Sequence, residues 1–193
     1  MTALALLIGF AVGTVPSAHL LGRLAGHNLR LEGTGNPGTA NALVVGGRKL
    51  AGAVLVMDIA KGVIAVQLGL GLAGTAGAVA GGLAAIAGQI LNPWFRFRGG
   101  KGLGVTGGVT IAAWPLGLVV AAPFMAGSAK LMGSAAKGAI LGLAFYAAAA
   151  LAWVTFDLPV GWGIDADTAL MALGIGVVVI TGPKFVADLR RVT

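Results

Sequence analysis

The residues from Gly33 to Asn41 read GTGNPGTAN and lie between two apolar segments, each long enough to cross a membrane. Small residues let the backbone approach a ligand closely, and successive N–H groups in such turns form concave anion sites. Basic residues flank the stretch on both sides, namely Arg23, Arg30, Arg48 and Lys49. The pattern predicts a phosphate-binding loop held at a membrane surface.

The composition is that of a protein whose main solvent is lipid. Of 193 residues, 58% are hydrophobic and 10% are charged, with a mean hydropathy of +0.95, whereas a soluble domain carries about 25% charged residues. Glycine accounts for 34 residues without a Gly-X-Y period, which favours close packing between transmembrane helices. We therefore predict an all-α, polytopic integral membrane protein that forms a single domain over residues 1–193.

Charge and residue types exclude several classes of function. The net charge is +7, but the basic residues sit in short loops between apolar segments, so we expect anionic lipids or phosphorylated small molecules as partners and no nucleic acid. There are no cysteines, and His19 and His27 are isolated. We therefore expect no metal site and no cofactor. Because no basic residue precedes Arg23, the first segment is interpreted as a retained helix and not as a signal peptide.

Six apolar segments are separated by polar loops. We interpret Pro16 as tolerated within the first segment, because neighbouring groups can satisfy the carbonyl that a proline frees. Pro115 divides the fourth segment into two short or re-entrant helices, which gives seven helical segments. The segments are Leu4–Leu24, Leu50–Leu72, Ala76–Leu91, Leu103–Met125, Ala139–Val154 and a last one beginning at Thr168.

The distribution of loop charge predicts the orientation in the membrane, because basic loops stay inside. The aspartate-containing loop 156–167 and the N-terminus are then outside, and the second and third segments form a hairpin. The inside loops and tail carry Arg30, Arg48, Lys49, Arg96, Arg98, Lys101, Lys130, Lys137, Lys184, Arg190 and Arg191.

The GTGNPG stretch also matches the dinucleotide-binding pattern G-x-G-x-x-G, and Asp58 follows its last glycine by 20 residues. That pattern requires a preceding strand and a βαβ unit. Here membrane helices flank the loop, and Asp58 lies inside one of them. We reject a nicotinamide site.

A second polar loop, from Asn92 to Gly104, reads NPWFRFRGGKGLG. Lys101 stands among Gly99, Gly100 and Gly102, so that an ammonium and several backbone N–H groups can share one anion. The Walker A spacing is absent. The aromatic residues and arginines before it are typical of an interfacial belt with snorkelling arginines.

Asp58 and Lys61 are ionisable residues inside an apolar segment, one turn apart on one helix face. Such groups are costly in a membrane and are functional or paired. Two interpretations remain open, a polar cavity or a salt bridge within the helix. No Ser-His-Asp set or carboxylate pair is present, so a reaction here would depend on an activated substrate and on electrostatic positioning.

Six motifs between Gly13 and Gly108 resemble the acyl-phosphate-dependent glycerol-3-phosphate acyltransferases of bacteria, the PlsY family. They occur in the order and spacing of that family. The motifs are GTVP (Gly13–Pro16), LLGR (Leu20–Arg23), NLR (Asn28–Arg30), GTGNPGTAN (Gly33–Asn41), DIAKG (Asp58–Gly62) and FRGGKG (Phe97–Gly102).

This resemblance implies a seven-helix fold in the bacterial cytoplasmic membrane, with the motif loops in the cytoplasm. It implies transfer of an acyl group from acyl phosphate to the 1-hydroxyl of glycerol-3-phosphate, which gives lysophosphatidic acid. By the same resemblance, Thr34, Asn36 and Lys101 serve catalysis. The residues implied in substrate phosphate binding are Arg30, Gly33, Gly35, Gly38, Asn41, Asp58, Lys61, Gly99, Gly100 and Gly102.

The chain departs from the family pattern at several positions. Gln89 stands where the family has a histidine, Val44 replaces an arginine for which Arg48 is the nearest substitute, and Ser134 is the candidate for a serine-rich motif. A C-terminal His and Asn motif has no counterpart in GPKFVADLRR. One alternative is therefore a homologue without acyl transfer that serves as a lipid- or phosphate-binding or scaffold subunit of a membrane complex. Another is a small transporter or channel.

Overall fold

The computed structural model describes residues 1–190 and folds them into helices and loops, without a strand in that range. Within this described part of the chain there are seven α-helices, together with a short 3-10 turn at Pro93–Phe95. Four stretches are long and apolar enough to cross a membrane, which confirms the predicted all-α, polytopic architecture. The helices are α1 (Thr2–Gly13), α2 (Ser17–Leu24), α3 (Thr39–Ile90), α4 (Leu103–Ala113), α5 (Pro115–Leu131), α6 (Ala135–Thr155) and α7 (Thr168–Leu189).

The first predicted segment is broken at Pro16 into α1 and α2. The carbonyl that Pro16 leaves free, that of Val12, accepts the Val15 N–H at 3.3 Å, and distant side chains satisfy the next exposed carbonyls. Asn92 Nδ2 donates to the Thr14 carbonyl at 2.9 Å, and Lys61 Nζ donates to the Val15 carbonyl at 2.9 Å. Two distant parts of the chain therefore hold this junction.

The second and third predicted segments form the expected hairpin, although they belong to one long helical element. α3 leaves helical geometry at Gly47 and again at Ala73 and Gly74. At the second break it folds back, so that the arms 48–72 and 75–90 run antiparallel. A Cβ added to Gly69 would collide with the Gly77 carbonyl, which shows how closely these arms approach. The glycines therefore serve helix packing here, as the composition predicts.

α1 packs along the arm 75–90 in the same direction, again through glycines. A Cβ at Gly9 would overlap the backbone of Gly81, and one at Gly13 would overlap the backbone of Ala85. Backbone-to-backbone contact of this kind excludes any larger side chain.

The fourth predicted segment breaks at Pro115, as expected, into α4 and α5. Proline cannot donate to the carbonyl four residues earlier, that of Ile111. The indole of Trp162 donates to this carbonyl at 2.8 Å, and the Ile164 N–H donates to the Ala113 carbonyl at 2.9 Å. The acidic loop between α6 and α7 thus reaches back to cap the break.

α6 and α7 complete the bundle around Trp114. Its ring lies 5.2 Å from that of Tyr146 and 5.3 Å from that of Trp153, centre to centre. α7 returns the chain to the end that holds the glycine-rich loops and continues to Leu189 through Pro183. Arg190 follows this helix, and Arg191 of the predicted basic tail lies outside the described residues.

We expect Gly9→Ala to destabilise the protein by about 1–3 kcal/mol, because the added methyl group forces two backbones apart. Unfolding in detergent, followed by circular dichroism, measures this change. Gly52→Ala is the matched control, because a Cβ there has open space and alanine is a better helix former than glycine. Equal stability of the two variants would contradict the close packing of α1 on α3.

Candidate functional site: two glycine-rich loops over a buried ion pair

The first glycine-rich loop is shaped by the side chain of Asn41, which is buried at the start of α3. Its Nδ2 donates to the carbonyls of Leu29 at 2.8 Å and Glu32 at 3.0 Å, and its Oδ1 accepts the Thr34 N–H at 2.7 Å. Gly33 lies against it with φ of 59°, where any Cβ would collide with Oδ1. One asparagine therefore fixes the turn that precedes the N–H groups of the motif.

A carboxylate closes the outer side of this loop. Glu32 accepts the Asn28 N–H at 2.5 Å and contacts His27 Nδ1 at 3.0 Å. The Asn28 N–H, and then His27, hold the pKa of Glu32 below its usual value. The stabilisation that the Glu32 carboxylate gives this loop is therefore fully present above the ordinary pKa of a glutamate, about 4.3. It is lost as the pH falls through the lower pKa that Glu32 has in the folded protein.

The second loop packs its glycines against the end of α3 and against the first loop. The Gly99 N–H donates to the Ile90 carbonyl at 3.0 Å. A Cβ at Gly100 would lie 3.1 Å from the Pro37 carbonyl, and Gly102, with φ of 83°, directly precedes α4 as its N-cap. The two loops thus meet at Pro37 and Gly100, where a side chain on residue 100 would press against the Pro37 carbonyl.

Arg30 joins the loops a second time. Its guanidinium donates to the Arg98 carbonyl at 3.3 Å and lies 4.3 Å from the centre of the Phe95 ring. An open depression beside it is lined by Arg30, Trp94, Phe95, Arg96 and Arg98. Positive charge therefore collects where the two loops converge.

Lys101 is about one-third exposed and forms an ion pair with Asp188 near the end of α7. Its Nζ lies 5.4 Å from the centre of the Phe185 ring. An anion that binds Lys101 must therefore compete with a carboxylate of the same chain.

Beneath the loops, Lys61 and Asp58 form a buried ion pair at 2.9 Å, with 4% and 3% of their surfaces exposed. Lys61 Nζ also donates to Ser17 Oγ at 3.1 Å and to Gln89 Oε1 at 2.7 Å, while Ser17 donates to Asp58 Oδ1 at 2.5 Å. Of the two interpretations left open by the sequence, the salt bridge is present. It extends into a network that joins α2 to both arms of α3.

The structure gathers most of the predicted site residues at one end of the bundle. Thr34 is exposed there, with its hydroxyl 3.4 Å from the Asn36 N–H. Arg48 is exposed on α3, outside the contacts of the two loops. Ser134 accepts the Lys137 N–H at 3.3 Å and caps α6.

Sequence reasoning missed Ser17 and Asp188. Ser17 directly follows the proline of the GTVP motif, so a polar residue at a helix break was the available signal. Asp188 carries no signal of its own, because its pairing with Lys101 depends on how α7 packs.

We expect Asn41→Ala to loosen the first loop, because it leaves the Leu29 carbonyl and the Thr34 N–H without partners at a cost of about 1–3 kcal/mol. Hydrogen exchange followed by mass spectrometry should show faster exchange over residues 29–38. Asn36→Ala is the control, since the Asn36 side chain makes no hydrogen bond within the described part of the chain. Unchanged exchange in Asn41→Ala would contradict the assigned role.

Comparison with known proteins places this architecture among membrane acyltransferases. The family model described as glycerol-3-phosphate acyltransferase matches residues 3–192. A glycerol-3-phosphate acyltransferase of Maricaulis maris is 37% identical over 161 residues, which cover 81% of this chain and 73% of that protein. One of Symbiobacterium thermophilum is 40% identical over 114 residues, and there the match spans 57% of the relative's length.

The fold is similar to that of PlsY, an integral membrane glycerol 3-phosphate acyltransferase, whose crystal structure in the glycerol 3-phosphate form superposes with a TM-score of 0.75. The match covers 98% of this chain and 92% of that one at 20% sequence identity. A second crystal structure, the lysophosphatidic acid form, gives the same TM-score at 19% identity. At this level of identity the likeness establishes the fold.

Proposed function

The chain belongs to the glycerol-3-phosphate acyltransferase family, and from this premise we propose that it transfers an acyl group from acyl phosphate to the 1-hydroxyl of glycerol-3-phosphate. The products are lysophosphatidic acid and inorganic phosphate. The observation that carries the proposal is the convergence of the two glycine-rich loops at Pro37 and Gly100, with Arg30 and Lys101 beside them. Both substrates carry a phosphate, and this surface combines cationic side chains with glycine N–H groups.

The loops supply two kinds of phosphate ligand. Backbone N–H groups at the glycines offer donors without side-chain obstruction, and Arg30 and Lys101 add charge. Thr34 and Asn36 lie in the first loop, within reach of a phosphate held there, and we assign them to orienting the acceptor. The backbone donors we assign are those of Gly33, Gly100 and Gly102, because the N–H groups of Gly35, Gly38 and Gly99 donate to carbonyls of the chain and shape the loops instead.

Asn41, Asp58 and Lys61 support the site in a different way. The amide of Asn41 is already hydrogen-bonded to backbone groups of the first loop. The ammonium of Lys61 likewise donates only to acceptors of the protein. We therefore propose that these three residues position the phosphate-binding groups from beneath, without contacting the phosphate.

The reaction requires little of the protein beyond binding and orientation. The acceptor oxygen forms a bond to the acyl carbon, the bond from that carbon to the phosphate oxygen breaks, and the hydroxyl proton passes to the departing phosphate. Because the donor is already activated, holding the two substrates in line supplies much of the acceleration. This fits a site that is rich in N–H donors and cations and has no carboxylate pair.

The membrane setting fits a soluble acceptor and a lipid donor. We propose that the loops face the cytoplasm of a bacterium, with the N-terminus outside and the C-terminus inside, because the basic residues collect at the loop end of the bundle. Acyl phosphate then enters from the lipid and glycerol-3-phosphate from the water. The described residues give no observation in favour of the scaffold subunit or the transporter.

We expect Lys101→Ala to lower turnover of palmitoyl phosphate with glycerol-3-phosphate by about 100-fold to 1000-fold, the usual effect of removing a preorganised donor. Lysophosphatidic acid formation and phosphate release by the purified protein measure this effect. Lys101→Arg should retain part of the activity because the charge is kept.

Lys49→Ala is the matched control, because Lys49 is an exposed lysine on α3 that takes no part in the proposed site. Its turnover should equal that of the parent protein. A folded parent protein without turnover, or a Lys101→Ala variant with full activity, would contradict the proposed function.

A further inference from the structure

A narrow recess lies below the point where the two glycine-rich loops meet. It has room for about one oxygen atom. It opens between the start of α2, the end of α3 and both loops. Its lining consists of Pro16, Ser17, Ala18, His19, Pro37, Gln89, Asn92, Phe95 and Gly100.

Gln89 is 6% exposed, and its amide has one defined orientation. Lys61 Nζ lies 2.7 Å from Gln89 Oε1, and an ammonium can only donate. The oxygen of the amide therefore faces Lys61, and its NH2 group faces the recess beside Gly100. Within residues 1–190 this NH2 group has no acceptor.

The start of α2 borders the same recess. The N–H groups of Ala18 and His19 have no carbonyl partner within the described chain, so the partial positive charge of this helix end is directed at the recess. His19 Nδ1 is also buried there without a partner. The buried ammonium of Lys61 stands directly behind the Gln89 amide.

We propose that this recess is the subsite for the carbonyl oxygen of the acyl donor, and that Gln89 is a catalytic hydrogen-bond donor to it; the inference rests on the proposed function. As the acceptor oxygen bonds to the acyl carbon, the carbonyl electron pair moves onto this oxygen, which becomes negatively charged. It returns when the bond to the phosphate oxygen breaks. A preorganised donor is most effective at such a developing charge.

This assignment also accounts for the departure at Gln89. A histidine that accepts from Lys61 on one ring nitrogen must carry its hydrogen on the other. It would present an N–H to the recess as the glutamine does. Glutamate would keep the Lys61 contact but would place an acceptor in the recess.

The kinetic test compares three variants of Gln89 with palmitoyl phosphate and glycerol-3-phosphate as substrates. We expect Gln89→Leu and Gln89→Glu to lower kcat by about 100-fold with the KM for glycerol-3-phosphate unchanged, and Gln89→His to keep most of the activity. Gln67→Leu, an exposed glutamine on α3, should behave as the parent protein. Gln89→Glu is nearly isosteric and keeps a partner for Lys61, so it tests the subsite even where Gln89→Leu fails to fold.

A second measurement does not depend on turnover. A long-chain β-ketophosphonate, whose ketone carries carbon-13 and cannot be cleaved from phosphorus, is bound to the intact protein in detergent and examined by infrared difference spectroscopy. We expect the carbonyl band to move to lower frequency in the parent protein and in Gln89→His. The shift should be lost in Gln89→Glu.

The outcomes separate the two proposals. A shift that depends on Gln89 in a protein without turnover would keep the subsite and overturn the proposed reaction. Full turnover by Gln89→Glu, or the absence of a shift in the parent protein, would overturn the subsite and leave the reaction standing or falling on the Lys101 variants.

Discussion

The site depends on a single buried ammonium, that of Lys61. An unpaired ammonium in this position would destabilise the protein strongly, because it would lose its hydration among apolar helices. Its acceptors come from the α1–α2 junction, from Asp58 on the same arm of α3 and from Gln89 on the returning arm. Three elements are therefore held in register by the need to surround one charge, and both glycine-rich loops begin or end close to them.

Close helix approach brings these acceptors within reach. Glycines at the contacts of α1 with α3 let the two backbones touch. The carbonyls next to Pro16, which have no partner within the helix, therefore lie close to Lys61 and Asn92. A glycine also allows a close approach where the two loops meet, since a Cβ at Gly100 would lie 3.1 Å from the Pro37 carbonyl. Packing and anion binding thus use the same residue type for one physical reason, the absence of a Cβ.

The sequence predicted the features that depend on local chemistry. Hydropathy placed the helices, the hairpin follows from loop charge, and Pro115 marks the break between α4 and α5. The resemblance to a family motif set assigned the two glycine-rich loops to one site, and the structure places these loops in contact. The ion pair of Asp58 and Lys61 could be proposed from their spacing, but their further partners could not.

What the sequence could not predict are contacts between distant segments. The pairing of Lys101 with Asp188, and the donation from Trp162 to the carbonyl freed by Pro115, join elements whose relative positions no periodicity encodes. Gln89 appeared as a departure from a motif. Its meaning emerges only when Lys61 is seen to fix the direction of its amide.

A double-mutant cycle measures how strongly the pair of Lys61 and Asp58 holds the site together. The free energy of unfolding in detergent would be measured for Lys61→Met, Asp58→Asn and the double variant. We expect a loss of about 3–5 kcal/mol for Lys61→Met, because it leaves a buried carboxylate unpaired, and a smaller loss for the double variant. A Lys61→Met protein as stable as the parent, with weaker binding of glycerol-3-phosphate, would show instead that Lys61 is a direct phosphate ligand and not a structural support.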